Sequence, residues 1–187
     1  MDASLFSKQE QLRDGTPVEV RAVRPGDRTA IQEAVGRMSG ESIVRRFFAP
    51  RASFSPEEVA RFVNVDFVHH VALVAVARVD GQPRIIGGAR YIELEPGRVE
   101  MACAVEDAWQ GRGLGTLLLR DLGAIAREQG VREVVADVLA ENQPMLRLLR
   151  SSGLPTLSGR QSGAVQLTMS LAGGAANDSP SPPRSSP

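Results

Sequence analysis

The stretch VEDAWQGRGLGTLLLRDLG, Val105 to Gly123, decides how the rest of the chain is read. Three glycines fall within the five residues Gly111 to Gly115, and a leucine-rich helical pattern begins at once. Glycine costs a helix roughly 1 kcal/mol relative to alanine, so its crowding here needs a reason. Missing Cβ atoms let a ligand lie against the main chain. The loop exposes several N–H groups, and the helix start carries about half a positive charge. Together these features suit an anion, above all a phosphate or pyrophosphate. A tight strand-to-helix turn packed by its glycines explains the same spacing without a ligand.

On either side of this stretch the chain alternates element types. VEMACAV (99–105) before it and VREVVADV (131–138) after it read as strands, so strand, helix 113–129 and strand form one crossover unit. Further out, TPVEVRAV (16–23) alternates as a strand does, and VALVAVARV (71–79) reads as a buried strand. ARYIELE and VEMACAV, split by Pro96-Gly97, form a hairpin. Three helices fall between the first two strands. Asp27 is positioned to cap one running to about Met38, Ser39 or Gly40 begins ESIVRRFF, and Ser55-Pro56-Glu57-Glu58 is a capping-box start for EEVARFV. A short helix begins at Pro144, and strands at about 154–160 and 163–171 close the sheet. The pattern predicts a single α/β (α+β) domain over 16–171, with a mixed, mostly antiparallel sheet of six or seven strands flanked by helices. Residues 1–15 are expected to be a flexible lead-in, and the Pro/Ser-rich 172–187 a disordered tail.

Composition narrows the function class. The 187 residues carry a formal net charge of +0, which argues against a broad nucleic-acid or polybasic membrane surface. The single cysteine, Cys103, rules out an internal disulfide and a Cys-rich zinc site. His69-His70 are neighbours on a strand start, where adjacent side chains point to opposite faces, so no metal site is expected. The start MDASLFSKQEQLRDG lacks a signal-like apolar run, so a cytoplasmic setting is expected. The loop is not a P-loop, because Gly115-Thr116-Leu117 lacks the lysine. It is a poor dinucleotide fingerprint too, being G-x-G-x-G and late in the chain.

Gln110-Gly111-Arg112-Gly113-Leu114-Gly115 resembles the Q/R-x-x-G-x-G/A signature of the GNAT superfamily of N-acetyltransferases, and the element order over 16–171 resembles that family's core. RAVRPGDRTAIQEAV, ESIVRRFF and SPEEVARFVNVDFVHHVALVAV are similar to the acetyltransferase domain of bacterial protein-lysine acetyltransferases of the Pat type. The resemblance implies acetyl-CoA as co-substrate. Its pyrophosphate would lie on Gln110, Gly111, Arg112, Gly113, Leu114, Gly115 and Thr116, held mainly by backbone N–H groups. Its pantetheine arm would pair like an added strand with Cys103, Ala104 and Val105, where the fourth and fifth strands splay apart. The same backbone would steady the oxyanion.

The amine acceptor must lose a proton before it attacks, since lysine has a reference pKa near 10.4. Glu100 resembles the general base of Pat-type enzymes, and shares a strand face with Ala102 and Ala104. An arginine-paired surface glutamate is the plainer reading. Glu106 is the second carboxylate, at the start of the loop. Asn142 matches a family asparagine that bonds the cofactor arm, and is equally placed to cap the helix after it. The family's frequent tyrosine acid is missing from QPMLRLLRSS, and Tyr91, the only tyrosine, lies on another strand. Cys103 sits with the apolar set and reads as a core residue. Arg45, Arg46, Phe47 and Phe48 would border the acceptor cleft by family analogy, or close an amphipathic helix end. Three functions stay open: acetylation of protein lysines, acetylation of a small amine, and non-catalytic acyl-CoA binding.

Overall fold

The structure is a computed structural model, and it describes residues 2–51, 54–161 and 163–172. Eight strands, β1 (Ser7–Gln11), β2 (Pro17–Ala22), β3 (His70–Val79), β4 (Gln82–Glu95), β5 (Arg98–Val105), β6 (Glu133–Leu139), β7 (Thr156–Gln161) and β8 (Ala164–Ser170), form one sheet in the order β1-β2-β3-β4-β5-β6-β8-β7. The helices are α1 (Arg28–Gly36), α2 (Gly40–Phe47), α3 (Pro56–Val63), α4 (Leu114–Glu128) and α5 (Gln143–Arg150). No described helix is long and apolar enough to cross a membrane.

The sheet is covered on both faces. Leu114, Leu118, Leu122, Ile125 and Ala126 recur at helical spacing and bury α4 against β3, β4 and β5. Each such leucine contributes roughly 1.5–3 kcal/mol by leaving water. On the opposite face a smaller cluster of Val23, Ala34, Val63, Ala72, Val74 and Ile85 seats α1 and α3. Local signals start these helices as expected. Ser39 Oγ accepts from the Ser42 N–H at α2, and Ser55 and Glu58 form the reciprocal capping box at α3.

The feature that places the site is a gap in the sheet. β5 and β6 are the parallel pair, and their pairing covers Arg98–Glu100 against Glu133–Val135 alone. Beyond that point β6 continues on β8 while β5 continues on β4. The two strands therefore splay between Glu100 and Val105, as the family resemblance implies.

Several expectations are corrected. The sheet has an eighth strand, because Ser7–Gln11, expected to be a flexible lead-in, pairs with β2 as β1. SKQEQ offers no apolar alternation, and its anchors lie far away in sequence. Lys8 Nζ and Glu10 Oε1 are 2.5 Å apart, and Arg120 reaches Glu10 Oε1 at 2.6 Å and Asp121 Oδ1 at 2.8 Å. Asp121 is buried beneath these contacts. Asp27 stands at the α1 N-cap position but does not cap with its side chain. Its carboxylate is held by Arg21 at 2.7 Å through both oxygens and by the Arg24 N–H. β4 begins at Gln82 rather than near Ala89. Gly87 and Gly88 weaken the strand pattern, yet a Cβ there would meet Ala104 O and Leu73 O at 2.9 Å, so close strand packing requires them. The tail expected over 172–187 lies, apart from Ala172, outside the described residues.

Candidate active site

The loop that leaves β5 is tied down before it reaches α4. A short 3-10 turn, Asp107–Trp109, follows Glu106. Asp107 accepts from the Ser39 N–H at 2.9 Å and from the Ser39 and Ser42 hydroxyls at 2.8 and 2.9 Å, fastening the loop to the start of α2. Gln110 Nε2 donates to Val105 O and to Ser42 Oγ, both at 3.1 Å. Trp109 packs on the main core.

The chain then turns through Gly111 and Gly113, at φ +73° and +92°, a region where side-chain-bearing residues are strained. Gly113 is the N-cap of α4, and the Leu117 N–H donates to Gly113 O. The N–H groups of Leu114, Gly115 and Thr116 precede that bond and have no intrahelical partner. They sit where the helix dipole is positive. The glycines also serve packing. A Cβ on Gly113 would meet Arg13 Cγ at 3.1 Å, and one on Gly115 would meet Leu148 Cδ2 of α5 at 3.0 Å. Ligand and packing readings of this turn therefore hold together.

A groove of about 460 Å³ runs from these amides to the splay. Cys103, Ala104, Val105, Gln110, Gly111, Gly113, Leu114, Gly115, Thr116 and Asn142 line it. Arg112 does not: its guanidinium turns to Asp14 (2.5 Å), Thr16 Oγ1 (2.7 Å) and the Trp109 ring (4.4 Å). Arg13, from the β1–β2 turn, supplies a cation to the groove instead, with its own N–H donating to Arg112 O. Nothing in the sequence around Arg13 signals this. An anion-binding helix start, a long groove and an unzipped strand edge fit a nucleotide-bearing thioester end to end.

Residues 41–154 match the model of the acetyltransferase (GNAT) family. The chain belongs to the GNAT acetyltransferase family. Over 145 residues it is 32% identical to Acetyltransferase PA5475 of Pseudomonas aeruginosa, covering 77% of this chain and 78% of that protein. The crystal structure of the GNAT domain of S. lividans PAT matches with a TM-score of 0.81 at 33% identity, covering 88% of this chain and 97% of that one. Acetyltransferase Pat of Mycolicibacterium smegmatis is 29% identical over 76% of this chain, and the chain spans only 43% of its length. As a GNAT acetyltransferase, the protein is an acetyl-CoA-dependent acyltransferase.

Within that family frame the remaining residues sort by where they stand. Glu100 is exposed at the last position of β5 that pairs with β6 and lines a small cavity at the splay with Arg46, Cys103, Asp137 and Asn142. It has no salt bridge or hydrogen bond among the described residues, and its charge is felt by Arg46 and Arg90. Glu106 is buried beneath α1, where Arg37 Nε donates to its Oε1 at 3.1 Å and its Oε2 has no partner. It borders a second cavity, beneath α1 and α3, rather than the groove. Asn142 caps α5 through the Met145 N–H (3.3 Å) while still lining the groove.

Other candidates fall away. Burial pushes the Cys103 thiol up to about 12, against a lowering by Arg46, so it remains protonated in the core. Tyr91 is buried with its hydroxyl on Gln129 Oε1, too far inside to protonate a leaving thiolate. His69 pairs with Glu93, which raises its pKa, while burial and then Arg90 lower that of His70. Among the described residues no cluster of three His, Cys, Asp or Glu side chains is placed to hold a metal.

Proposed function

We propose that this protein transfers an acetyl group from acetyl-CoA to a primary amine, the lysine side chain of a protein, by direct attack in a ternary complex. The observation that carries the reading is Glu100, an uncommitted carboxylate at the point where β5 parts from β6. The proposed order follows the geometry. The Leu114, Gly115 and Thr116 amides, with Arg13 beside them, take the pyrophosphate. The open edge of β5 from Cys103 to Val105 pairs with the pantetheine arm. The acceptor arrives on the face of Glu100, Ala102 and Ala104, the face beneath α1–α3.

Glu100 accepts the ammonium proton, directly or through water, and the amine attacks the thioester carbon. Backbone N–H groups of β5 hold the developing oxyanion. The intermediate collapses with loss of CoA thiolate. A free thiol near pKa 8.5 leaves without a dedicated acid, in keeping with a core-bound Tyr91. Similarity to Pat proteins supports a protein acceptor.

The test is incubation of the purified protein with acetyl-CoA and a cell lysate, followed by mass spectrometry of proteins and of metabolites. Acetyl-lysine on proteins, lost with Glu100→Gln while CoA binding persists, supports the reading. Acetylated small amines alone would replace the acceptor, and CoA binding without any acetylation would leave a binding module.

A further inference from the structure

Between α1–α3 and the sheet lies a second cavity, of about 120 Å³, with largely apolar walls that include Ile31, Val35 and Ile85. Two arginines line it, Arg46 from α2 and Arg90 from β4. Arg46 also lines the cofactor groove and the Glu100 cavity, so the three spaces meet at this side chain.

These two arginines differ from their neighbours in lacking an anion. Arg37 is paired with Glu106 (3.1 Å), Arg45 with Glu41 (2.5 Å) and Arg21 with Asp27 (2.7 Å). Among the described residues Arg46 and Arg90 have neither an ion-pair partner nor a hydrogen-bond acceptor. Each has instead an aromatic ring: Arg46 lies 4.9 Å from the Phe47 centroid and Arg90 5.2 Å from that of Phe62. Rings steady a guanidinium but take none of its N–H bonds.

Desolvation works against both charges, and they repel each other. Burial lowers Arg46 to about 10, with Arg90 adding to the effect. Glu100, in the adjoining cavity, is the carboxylate both feel. The cavity's own carboxylate, Glu106, is paired through Oε1 with Arg37, so neither guanidinium has an anion of its own. A partly desolvated charge without a partner is costly. One further carboxylate would balance the set, and two guanidinium forks are the geometry that grips one.

We propose that Arg46 and Arg90 form a carboxylate-recognition pair for the acceptor: the amine that is acetylated carries an acidic group close by, an Asp or Glu side chain next to the target lysine. The site rests on the acetyl-transfer reading above and deepens it. The pair also has a kinetic consequence, because its surplus positive charge favours the neutral form of an incoming amine, the form that attacks.

The experiment compares acceptors that differ only in a carboxylate. Lysine peptides with Glu or Gln beside the lysine form one pair, and free lysine and cadaverine form another. kcat/KM is measured for the wild type, Arg46→Gln, Arg90→Gln and the two Arg→Lys variants, with melting temperature and KM for acetyl-CoA as controls. The wild type is expected to favour the carboxylate-bearing member by roughly tenfold or more, as charge-assisted hydrogen bonds do. The Gln variants lose that preference through the acceptor KM, and the Lys variants keep part of it. Equal wild-type rates on both members overturn the proposal, as does equal slowing of both members by the variants. A variant effect on succinyl-CoA against acetyl-CoA, in place of the acceptor effect, assigns the carboxylate to the acyl group and overturns the acceptor site. A preference confined to lysine over cadaverine upholds the pair and removes the protein acceptor. Turnover on neither pair removes the transfer reading and this site with it.

Discussion

The two sides of the splay are built from different materials. The cofactor side is main chain: amides at the start of α4, glycines at positive φ and the open edge of β5. The loop's own charges are paired, Arg112 on Asp14 and Asp107 on the serines of α2, while Arg13 is left to face the groove. The proposed acceptor side is side chains: Glu100, Arg46 and Arg90 from three separate elements, with Phe47 and Phe62 beside the two arginines. A grip made of backbone holds any ligand with the right linear form, whereas a pocket made of side chains selects. On the proposed reading, the shared co-substrate takes one side and specificity the other.

The sharpest way to break that division is Glu100→Gln. Loss of a general base is expected to lower kcat by roughly 10²–10⁴-fold, with CoA affinity unchanged by calorimetry. Equal loss of CoA binding would place Glu100 on the wrong side.

Next is the root of α1, which walls the second cavity. Removing one partner of the buried Arg21–Asp27 pair in Asp27→Ala should cost about 3 kcal/mol in urea unfolding. Burial acts to raise the Asp27 pKa, but the Arg21 hydrogen bonds and the Arg24 amide outweigh it, and the net direction is down. Its contribution is therefore present above the unfolded value near 3.9 and lost as pH falls through the lower folded value. Asp27→Asn should flatten that acid limb of the stability curve.

The glycines sharpen the comparison from the cofactor side. Gly113→Val meets both a φ of +92° and Arg13 Cγ, and should weaken CoA at least about tenfold with kcat at saturation little changed. Gly115→Ala meets only the movable end of Leu148 and should change CoA affinity by less than about threefold. The smallest effect is expected at Cys103. With a thiol pushed up to about 12, it should alkylate slowly at neutral pH, and Cys103→Ala should retain activity.

What the sequence made legible follows the same divide. The glycine loop, the crossover around it and the caps at Ser39 and Ser55 are local requirements on the backbone, so they leave a local mark. The splay was expected from the family resemblance alone. β1 leaves no such mark: it is held by contacts such as Glu10 with Arg120, more than a hundred residues apart, on a strand with no apolar face. Arg112 stands inside the motif, yet its direction is set by Asp14 and Thr16. Arg13 took its place in the groove because the β1–β2 turn folds back over Gly113. Arg46 was marked in the sequence only by family analogy, as part of the Arg45–Phe48 stretch, and Arg90 not at all, since only the fold brings the two to one cavity.

The most direct test of the backbone grip is an amide chemical-shift titration of the ¹⁵N-labelled protein with CoA. The predicted result is a set of large shifts at Gly111, Gly113 to Thr116 and Cys103 to Val105, with α1 and α3 nearly still. A spectrum that does not move, or whose shifts gather instead around Ile31, Phe62 and Ala72, would contradict it.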